Sequence, residues 1–156
     1  SCCVAGPGKK NDDPLYADKA KRISELTKDL SEIMPAFEAE LAKQLTGKTA
    51  KRVAYHPPCT LQHGQQIRGK VESVLRTCGI DVSLCADSHL CCGSAGTYSV
   101  TQPELSYQLR DNKIKNLEAT NPEVIVSANI GCLTHLQSGT DVPVRHWIEL
   151  IDQALR

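Results

Sequence analysis

Short apolar runs alternate with longer amphipathic stretches along most of the chain. The apolar runs are rich in Val and Ile, and they cover Val53-Ala54-Tyr55, Ile80 to Leu84 and Val124-Ile125-Val126. Two stretches with helical spacing of apolar residues, Gln65–Thr77 and Pro103–Ala119, separate them. Short strands joined by helices pair in parallel, because a crossover connection returns each strand in the same direction. The pattern therefore predicts an α/β fold, with an open, mostly parallel sheet and helices on both faces.

The two ends of the chain add further elements to this core pattern. A strand over Val142–Val144 and a helix over Trp147–Leu155 complete the predicted layers. At the other end, apolar residues with helical spacing predict a helix over Tyr16–Ile33 that Pro35 ends. A second short helix, over residues 37–45, is predicted to end at Gly47, so the main domain is expected to start near residue 51.

Composition excludes several classes of function. The chain has 156 residues, 40% of them hydrophobic and 23% charged, which is a normal balance for one globular domain. Eighteen basic residues balance eighteen acidic ones, so a broad electrostatic footprint for nucleic acid is absent. No apolar run reaches the roughly 20 residues that a membrane span needs, and the first residues lack the pattern of a signal peptide. We expect a cytoplasmic protein, and a fragment of a longer one, because the chain starts without Met.

Cysteines mark the ends of the three predicted strands. Cys59 follows the first apolar run, Cys91-Cys92 follows the second and Cys132 follows the third. The loops after parallel strands open at one edge of the sheet, so these thiols are expected to converge there. Clustered cysteines in a cytosolic chain bind metal or carry out redox chemistry more often than they form disulfides. The alternatives at this point are metal or cluster ligation, a redox-active thiol pair, and inert buried cysteines.

Three histidines lie near these cysteines in the sequence. His135 is three residues beyond Cys132, so on a helix it would lie on the same face and could complete a coordination sphere. The alternative is a histidine that packs or hydrogen bonds near the site. His56 and His63 flank Cys59, where each could donate to a thiolate or to sulfide, or could simply make a hydrogen bond within the loop. The remaining internal cysteines, Cys78 and Cys85, are predicted to be structural.

Four segments around these residues resemble one known family. They are His56-Pro-Pro-Cys-Thr-Leu-Gln-His63-Gly, Ser88-His-Leu-Cys-Cys-Gly-Ser-Ala-Gly-Thr-Tyr98-Ser, Ser127-Ala-Asn-Ile-Gly-Cys132 and Pro143-Val-Arg-His-Trp147-Ile-Glu. The vicinal Cys-Cys-Gly resembles the cysteine-rich (CCG) domains of heterodisulfide reductase B-type subunits, lactate-utilisation proteins and glycolate oxidase iron–sulfur subunits. The similarity to the last group is greatest, and it runs from Pro14 to the end of the chain.

The resemblance implies both a domain organisation and a cofactor. Residues 1–50 would be a helical tail or linker from a preceding cysteine-rich repeat, and residues 51–156 would be the CCG domain. A [4Fe–4S]-type cluster would be bound by Cys59, Cys91, Cys92 and Cys132, with His135 as a further candidate metal ligand. Zinc is the alternative metal for such a thiolate set.

The resemblance also implies partners. Such a subunit passes electrons from flavin-containing glycolate oxidase subunits towards quinone, so FAD is expected only on a partner, and the fragment alone is not expected to be catalytic. The complex could associate with the inner face of the cell membrane without spanning it. Two departures stand out: heterodisulfide reductase-type members have Cys-x-x-Cys where this chain has Cys132-x-x-His135, and Ser1-Cys2-Cys3 stands where Gly-Cys-Gly is expected.

Three rival functions follow from the same residues. A structural zinc-binding or partner-docking domain would use the cysteines without electron transfer. A thiol-based redox enzyme would use Cys92, at a helix start, as a nucleophile of lowered pKa. Dinucleotide binding is disfavoured because Gly93-Ser-Ala-Gly96 lacks the third glycine of the fingerprint.

Overall fold

A four-stranded parallel sheet forms the centre of the molecule. A computed structural model describes residues 15–45 and 51–156. The strands are β1 (Arg52–His56), β2 (Asp81–Leu84), β3 (Val124–Ser127) and β4 (Val144–His146). Their order across the sheet is β2-β1-β3-β4, and every neighbouring pair is parallel. The α/β prediction is confirmed, with each predicted strand found within two residues of its expected place.

Eight α-helices surround or precede this sheet in the described ranges. They are α1 (Ala17–Leu26), α2 (Leu30–Ile33), α3 (Glu38–Leu45), α4 (Lys70–Thr77), α5 (Tyr98–Thr101), α6 (Pro103–Glu118), α7 (Ile130–Gln137) and α8 (Trp147–Leu155). A 3₁₀ helix, Met34–Phe37, joins α2 to α3, and a π-helical turn, Thr60–Gly64, follows β1. No helix in the described ranges is long and apolar enough to cross a membrane.

Strand alternation divides the core into two layers. Successive side chains of a strand point to opposite faces, so Val53 and Tyr55 of β1 pack in one layer and Ala54 packs in the other. The first layer contains buried residues of α3, α4 and α8, including the fully buried Trp147. The second layer contains buried residues of α6 and α7, together with Cys92 and Cys132. Helices therefore cover both faces of the sheet, and two of the predicted site cysteines belong to the second layer.

The prediction of one continuous helix over Tyr16–Ile33 is wrong. The helix ends at Leu26, and the chain restarts as α2 after Asp29, whose side chain accepts hydrogen bonds from the backbone and hydroxyl of Ser31. Glu32 accepts a hydrogen bond from the Asp29 backbone, which completes a capping box. The capping box begins a new helix at this point. The apolar residues of α1 are not buried.

One further predicted helix limit differs from the structure, and another lies outside the described residues. The helix expected over Gln65–Thr77 begins only at Lys70, because Gln66 and Gly69 adopt positive φ angles that no α-helix continues through. The second N-terminal helix is confirmed as α3, whose Leu41 and Leu45 pack in the first core layer. Its predicted end at Gly47 lies outside the described residues.

Candidate metal centre

The predicted convergence of cysteines at the carboxyl edge of the sheet is observed. A cavity of about 690 Å³ opens there, and Cys59, Cys91 and Cys132 are among the residues that line it. Cys92 is fully buried in the second core layer. The thiols of Cys59 and Cys91 interact with each other, as do those of Cys91 and Cys92, and those of Cys92 and Cys132. Four thiols from three loops thus form one continuous group.

The loop that carries Cys59 is fixed by a π-helical turn. Cys59 stands at the start of this turn, which follows directly from Pro57 and Pro58. Inside the turn, the buried Gln62 donates hydrogen bonds to the carbonyl oxygens of Pro57 (2.8 Å) and Ser88 (3.3 Å). These bonds tie the Cys59 loop to the loop that precedes Cys91. Wide turns of this kind are frequent at functional sites because they reposition side chains.

The loop that carries the vicinal cysteines is held by α6. The buried Lys113 donates to the carbonyl oxygen of Asp87 at 2.6 Å. Past the cysteine pair, the Gly93 amide donates to Cys91 Sγ at 3.3 Å, and its carbonyl accepts from Ser106 Oγ at 2.8 Å. Gly93 has a φ of 94°, and a Cβ there would lie 2.3 Å from the Ser106 carbonyl oxygen. Only glycine fits this close approach between the cysteine loop and α6.

Cys132 lies in the first turn of α7. Asn129 caps this helix, because its side-chain oxygen accepts from the amides of Gly131 (2.9 Å) and Cys132 (3.4 Å). A Cβ on Gly131 would lie 3.1 Å from Ser94 Oγ, so the glycine lets α7 approach the cysteine loop. The first turn of a helix favours negative charge, and thus a thiolate or an anionic cluster.

The thiols differ in their tendency to ionise. Burial, followed by repulsion from Cys91, raises the pKa of Cys59 to about 11. Hydrogen bonding to Cys92 and then burial hold the pKa of Cys91 far above its usual value. Hydrogen bonding from Cys92 lowers the pKa of Cys132 against the effect of burial, and Ser94 contributes in the same direction. Without a cation, Cys59 and Cys91 therefore keep their protons at neutral pH, and the lowered pKa of Cys132 favours a thiolate there.

His56 is a site residue that sequence reasoning misplaced. It is the last residue of β1 and fully buried, and neither ring nitrogen has a hydrogen-bond partner, so the expected loop hydrogen bond is not formed. One of its ring nitrogens and the sulfurs of Cys92 and Cys132 all lie within 4.8 Å of one another. An unpartnered buried polar group costs about 1–3 kcal/mol. The sequence feature that could have placed His56 is the alternation of side chains along β1. His56 is two residues after Ala54, so its side chain faces the second core layer as that of Ala54 does.

His135 lines the cavity but is engaged elsewhere. Its Nε2 lies 3.2 Å from Ser106 Oγ and 3.3 Å from the Ser106 carbonyl oxygen. Its ring stacks on Tyr107 at 6.0 Å between centroids. Because the hydroxyl proton of Ser106 is directed to the Gly93 carbonyl, these contacts favour a proton on Nε2. Within the described residues, His135 is not in the group whose donor atoms are close enough to share one metal ion.

The other candidate residues lie outside this group or outside the described ranges. His63 Nε2 lies 3.4 Å from the His89 carbonyl oxygen, so its contact is with the loop of the vicinal cysteines and not within its own loop. Cys78 and Cys85 are buried, in the first and second core layers respectively. Cys2 and Cys3 lie outside the described residues. The complete burial of Cys92 also leaves no route for a substrate to reach it as a nucleophile.

This arrangement suits a thiolate-preferring metal centre. Soft sulfur ligands select zinc, copper(I) or iron–sulfur clusters over magnesium and calcium. Cys92, Cys132 and the unpartnered imidazole supply such donors within 4.8 Å of one another. The partly exposed Cys59 and Cys91 are outside that distance group and extend it towards the cavity through their thiol contacts. The residues present therefore fit a metal or cluster, as the sequence predicted.

The chain is similar to known proteins over nearly its whole length. It is 53% identical to the glycolate oxidase iron–sulfur subunit of Escherichia coli (strain K12) over 143 residues, which cover 92% of this chain and 34% of that protein. It is 28% identical to lactate utilization protein A of Bacillus subtilis (strain 168), over 90% of this chain and 61% of the relative. The chain thus spans about a third of the first relative and about three-fifths of the second.

A family model also matches the region that builds the site. The model describes a cysteine-rich domain, named CCG, and it matches residues 53–137, which are more than half of the chain. This region contains all three loops that contribute cysteines to the cavity. The resemblance found in the sequence motifs is confirmed by these matches. The chain belongs to the cysteine-rich domain (CCG) family.

Proposed function

We propose that this chain is part of an iron–sulfur electron-transfer subunit, and that its four converging cysteines bind the cluster. The observation that carries the proposal is the continuous group of Cys59, Cys91, Cys92 and Cys132, all but the buried Cys92 lining one cavity. Thiolates are the usual ligands of iron–sulfur clusters. Two relatives, a glycolate oxidase iron–sulfur subunit and a lactate utilization protein, support a role in the oxidation of 2-hydroxy acids.

The finer assignment follows the relative with 53% identity. We propose a [4Fe–4S]-type cluster and a flavin-dependent glycolate dehydrogenase or oxidase as the enzyme that the subunit serves. Flavin-containing subunits would be the partners, and FAD would be bound by them. The chain would carry electrons and would not turn over glycolate by itself. The division into a linker over residues 1–50 and a CCG domain over residues 51–156 remains a prediction.

The shape of the site supports electron transfer in this proposal. The buried Cys92 and Cys132 would shield the inner part of the centre from solvent, while Cys59 and Cys91 are partly exposed in the open cavity that Cys132 also lines. An electron carrier needs a redox centre near the surface, where a partner can approach. When bound, the cluster would supply a one-electron redox couple, and this chain's residues would set its exposure and local charge.

The test is anaerobic reconstitution of the chain with iron and sulfide. Wild type is expected to bind both, to show visible absorbance that bleaches on reduction, and to give an EPR signal in one redox state. Cys91→Ala is expected to lose the signal or change its shape, because it removes a thiol from the group. Cys78→Ala is the matched control, since Cys78 is a buried cysteine in the other core layer.

Each outcome separates the alternatives. Loss of the signal in Cys91→Ala but not in Cys78→Ala supports the ligand assignment. Bound zinc without sulfide in the wild type would instead favour a structural metal, and equal signals in both variants would contradict the proposed ligands.

A further inference from the structure

One buried side chain at the site has no role in the ligand set predicted from the sequence. His56 is fully buried, and both of its ring nitrogens lack hydrogen-bond partners. A buried polar group almost always has a partner in a folded protein, so each exception calls for a specific explanation. The explanation must lie in what surrounds the ring.

The surroundings of His56 are donors that bind metals. One ring nitrogen lies within 4.8 Å of Cys92 Sγ and Cys132 Sγ, and those two sulfurs lie within the same distance of each other. Ligand atoms that share one metal ion are separated by about 3.5–4 Å, given metal–sulfur and metal–nitrogen bonds of about 2.0–2.3 Å. All three residues are buried. A single ion could therefore contact all three with small adjustments.

Other unpartnered polar atoms in the described residues do not share these surroundings. Apart from Gln65 Oε1, which belongs to a separate cavity beside Asp29 and His146, the hydroxyl of Tyr55 and the indole nitrogen of Trp147 are also buried without a partner. Both belong to the first core layer, among apolar side chains on the opposite face of the sheet. Because side chains alternate along β1, His56 lies on the opposite face from Tyr55, together with Cys92 and Cys132. Among these unpartnered atoms of the described residues, those of the His56 ring are the ones placed beside metal-donor sulfurs.

The position of His56 is fixed by the backbone around it. Its carbonyl accepts a hydrogen bond from the buried Ser127 Oγ at 2.8 Å, and the two residues pair across β1 and β3. Pro57 and Pro58 follow at once and restrict the chain on the other side. A side chain held on a strand end in this way is preorganised, as a ligand should be.

We propose that His56 is a nitrogen ligand of the iron centre held by Cys92 and Cys132, an inference that rests on the function proposed above. The lone pair of one ring nitrogen forms the bond to iron, and the imidazole stays neutral with its proton on the other nitrogen. The ligand that Cys132-x-x-His135 lacks relative to Cys-x-x-Cys is then supplied from β1, and His135 remains engaged with Ser106 and Tyr107.

A neutral ligand in place of a thiolate has an electrochemical consequence. Histidine ligation of an iron–sulfur centre raises its reduction potential relative to cysteine ligation, because one negative charge fewer surrounds the iron. His56→Cys would restore that charge at the same position. The variant is expected to keep a cluster and to shift the reduction potential to lower values.

The experiment is hyperfine spectroscopy of the reconstituted, paramagnetic full chain with all histidines labelled with ¹⁵N. We expect a strong coupling, typical of a directly bound nitrogen, in wild type and in His63→Ala, where a histidine of the same segment outside the donor group is removed. The coupling should disappear in His56→Cys, and the reduction potential of this variant should be lower than that of wild type.

Several results would overturn the proposal. A loaded cluster without nitrogen coupling, or with only the weak coupling of an N–H···S hydrogen bond, contradicts ligation and leaves the proposed function intact. A strong coupling that survives in His56→Cys, or that disappears in His135→Ala, assigns the ligand to another histidine. If wild type binds no iron and sulfide, the proposed function fails first and this inference fails with it. If His56→Cys does not fold, a coupling that survives in His63→Ala, His89→Ala, His135→Ala and His146→Ala is assigned to His56, because these four are the other histidines of the chain.

Discussion

Single residues at the site are constrained by close contacts that can be tested one at a time. Gly93→Ala places a Cβ against the Ser106 carbonyl oxygen, at a φ of 94° that side chains rarely adopt. The free energy of unfolding should fall by about 2–4 kcal/mol, because steric overlap adds to backbone strain. Urea unfolding of the metal-free chain measures this change.

The matched control for Gly93 is another glycine near the site. At Gly64 a Cβ would have no other atom within 4 Å, and the backbone φ is not positive, so Gly64→Ala should change stability by less than about 0.5 kcal/mol. Equal stability of the two variants would contradict the claim that Gly93 permits a required close approach.

The raised thiol pKa values predict how metal binding depends on pH. Cys59, with a pKa of about 11, and Cys91 are protonated at neutral pH and must release protons when they bind a metal. The affinity for Co²⁺, followed by its thiolate absorbance, should therefore rise with pH, about tenfold per unit for each proton released. Cys59→Ser should reduce this slope. An affinity that does not change between about pH 6 and 8 would contradict the protonated state.

The same pKa values fix the sign of a stability effect without metal. The folded-state pKa of Cys59 lies above its ordinary value of 9.0, so folding favours the protonated thiol. The contribution of Cys59 to the free energy of unfolding is therefore fully present below pH 9 and is lost as the pH rises towards 11. The partial exposure of Cys59 keeps the effect small.

At the scale of elements, the start of α7 positions Cys132. Asn129→Ala removes the acceptor for the Gly131 and Cys132 amides, and should lower the free energy of unfolding by about 0.5–2 kcal/mol. It should also weaken Co²⁺ binding, because the first turn carries a proposed ligand. Asn129→Ser keeps an acceptor and should retain most of both properties. A fully stable, fully binding Asn129→Ala would show that the cap does not position the cysteine.

The elements also show what the sequence could and could not predict. The strands were predictable because short runs rich in Val and Ile mark them, and α6 was predictable because apolar residues recur with helical spacing along it. The helix over residues 16–33 was predicted as continuous because its apolar spacing is regular, yet the Asp29 capping box restarts the chain. The π-helical turn after Cys59 has no periodic signal of its own, and it depends on Gln62 reaching two separate loops.

The candidate site was predictable in outline for a topological reason. Parallel strands place their following loops at one edge, so the convergence of Cys59, Cys91, Cys92 and Cys132 follows from the strand predictions. Which histidine joins them depends on side-chain direction. Helical spacing favoured His135, whereas strand parity and the contacts of Ser106 favour His56. Only the three-dimensional structure shows which of the two histidines lies beside the thiols.

At the scale of the whole molecule, the sheet separates an apolar layer from one that carries the site. The layer with Trp147 stabilises the fold, and the layer with Cys92 and Cys132 combines packing with metal-donor groups. A bound cluster would link three loops that are far apart in sequence, and binding to the folded state alone would stabilise the whole chain. The central claim is therefore that these loops close around one iron–sulfur cluster.

Native mass spectrometry of the chain after anaerobic reconstitution tests that claim most directly, since it weighs what each molecule holds. We expect a species heavier than the metal-free chain by one cluster containing both iron and inorganic sulfide. The metal-free mass alone, or the mass of the chain with a single metal ion and no sulfide, would contradict it.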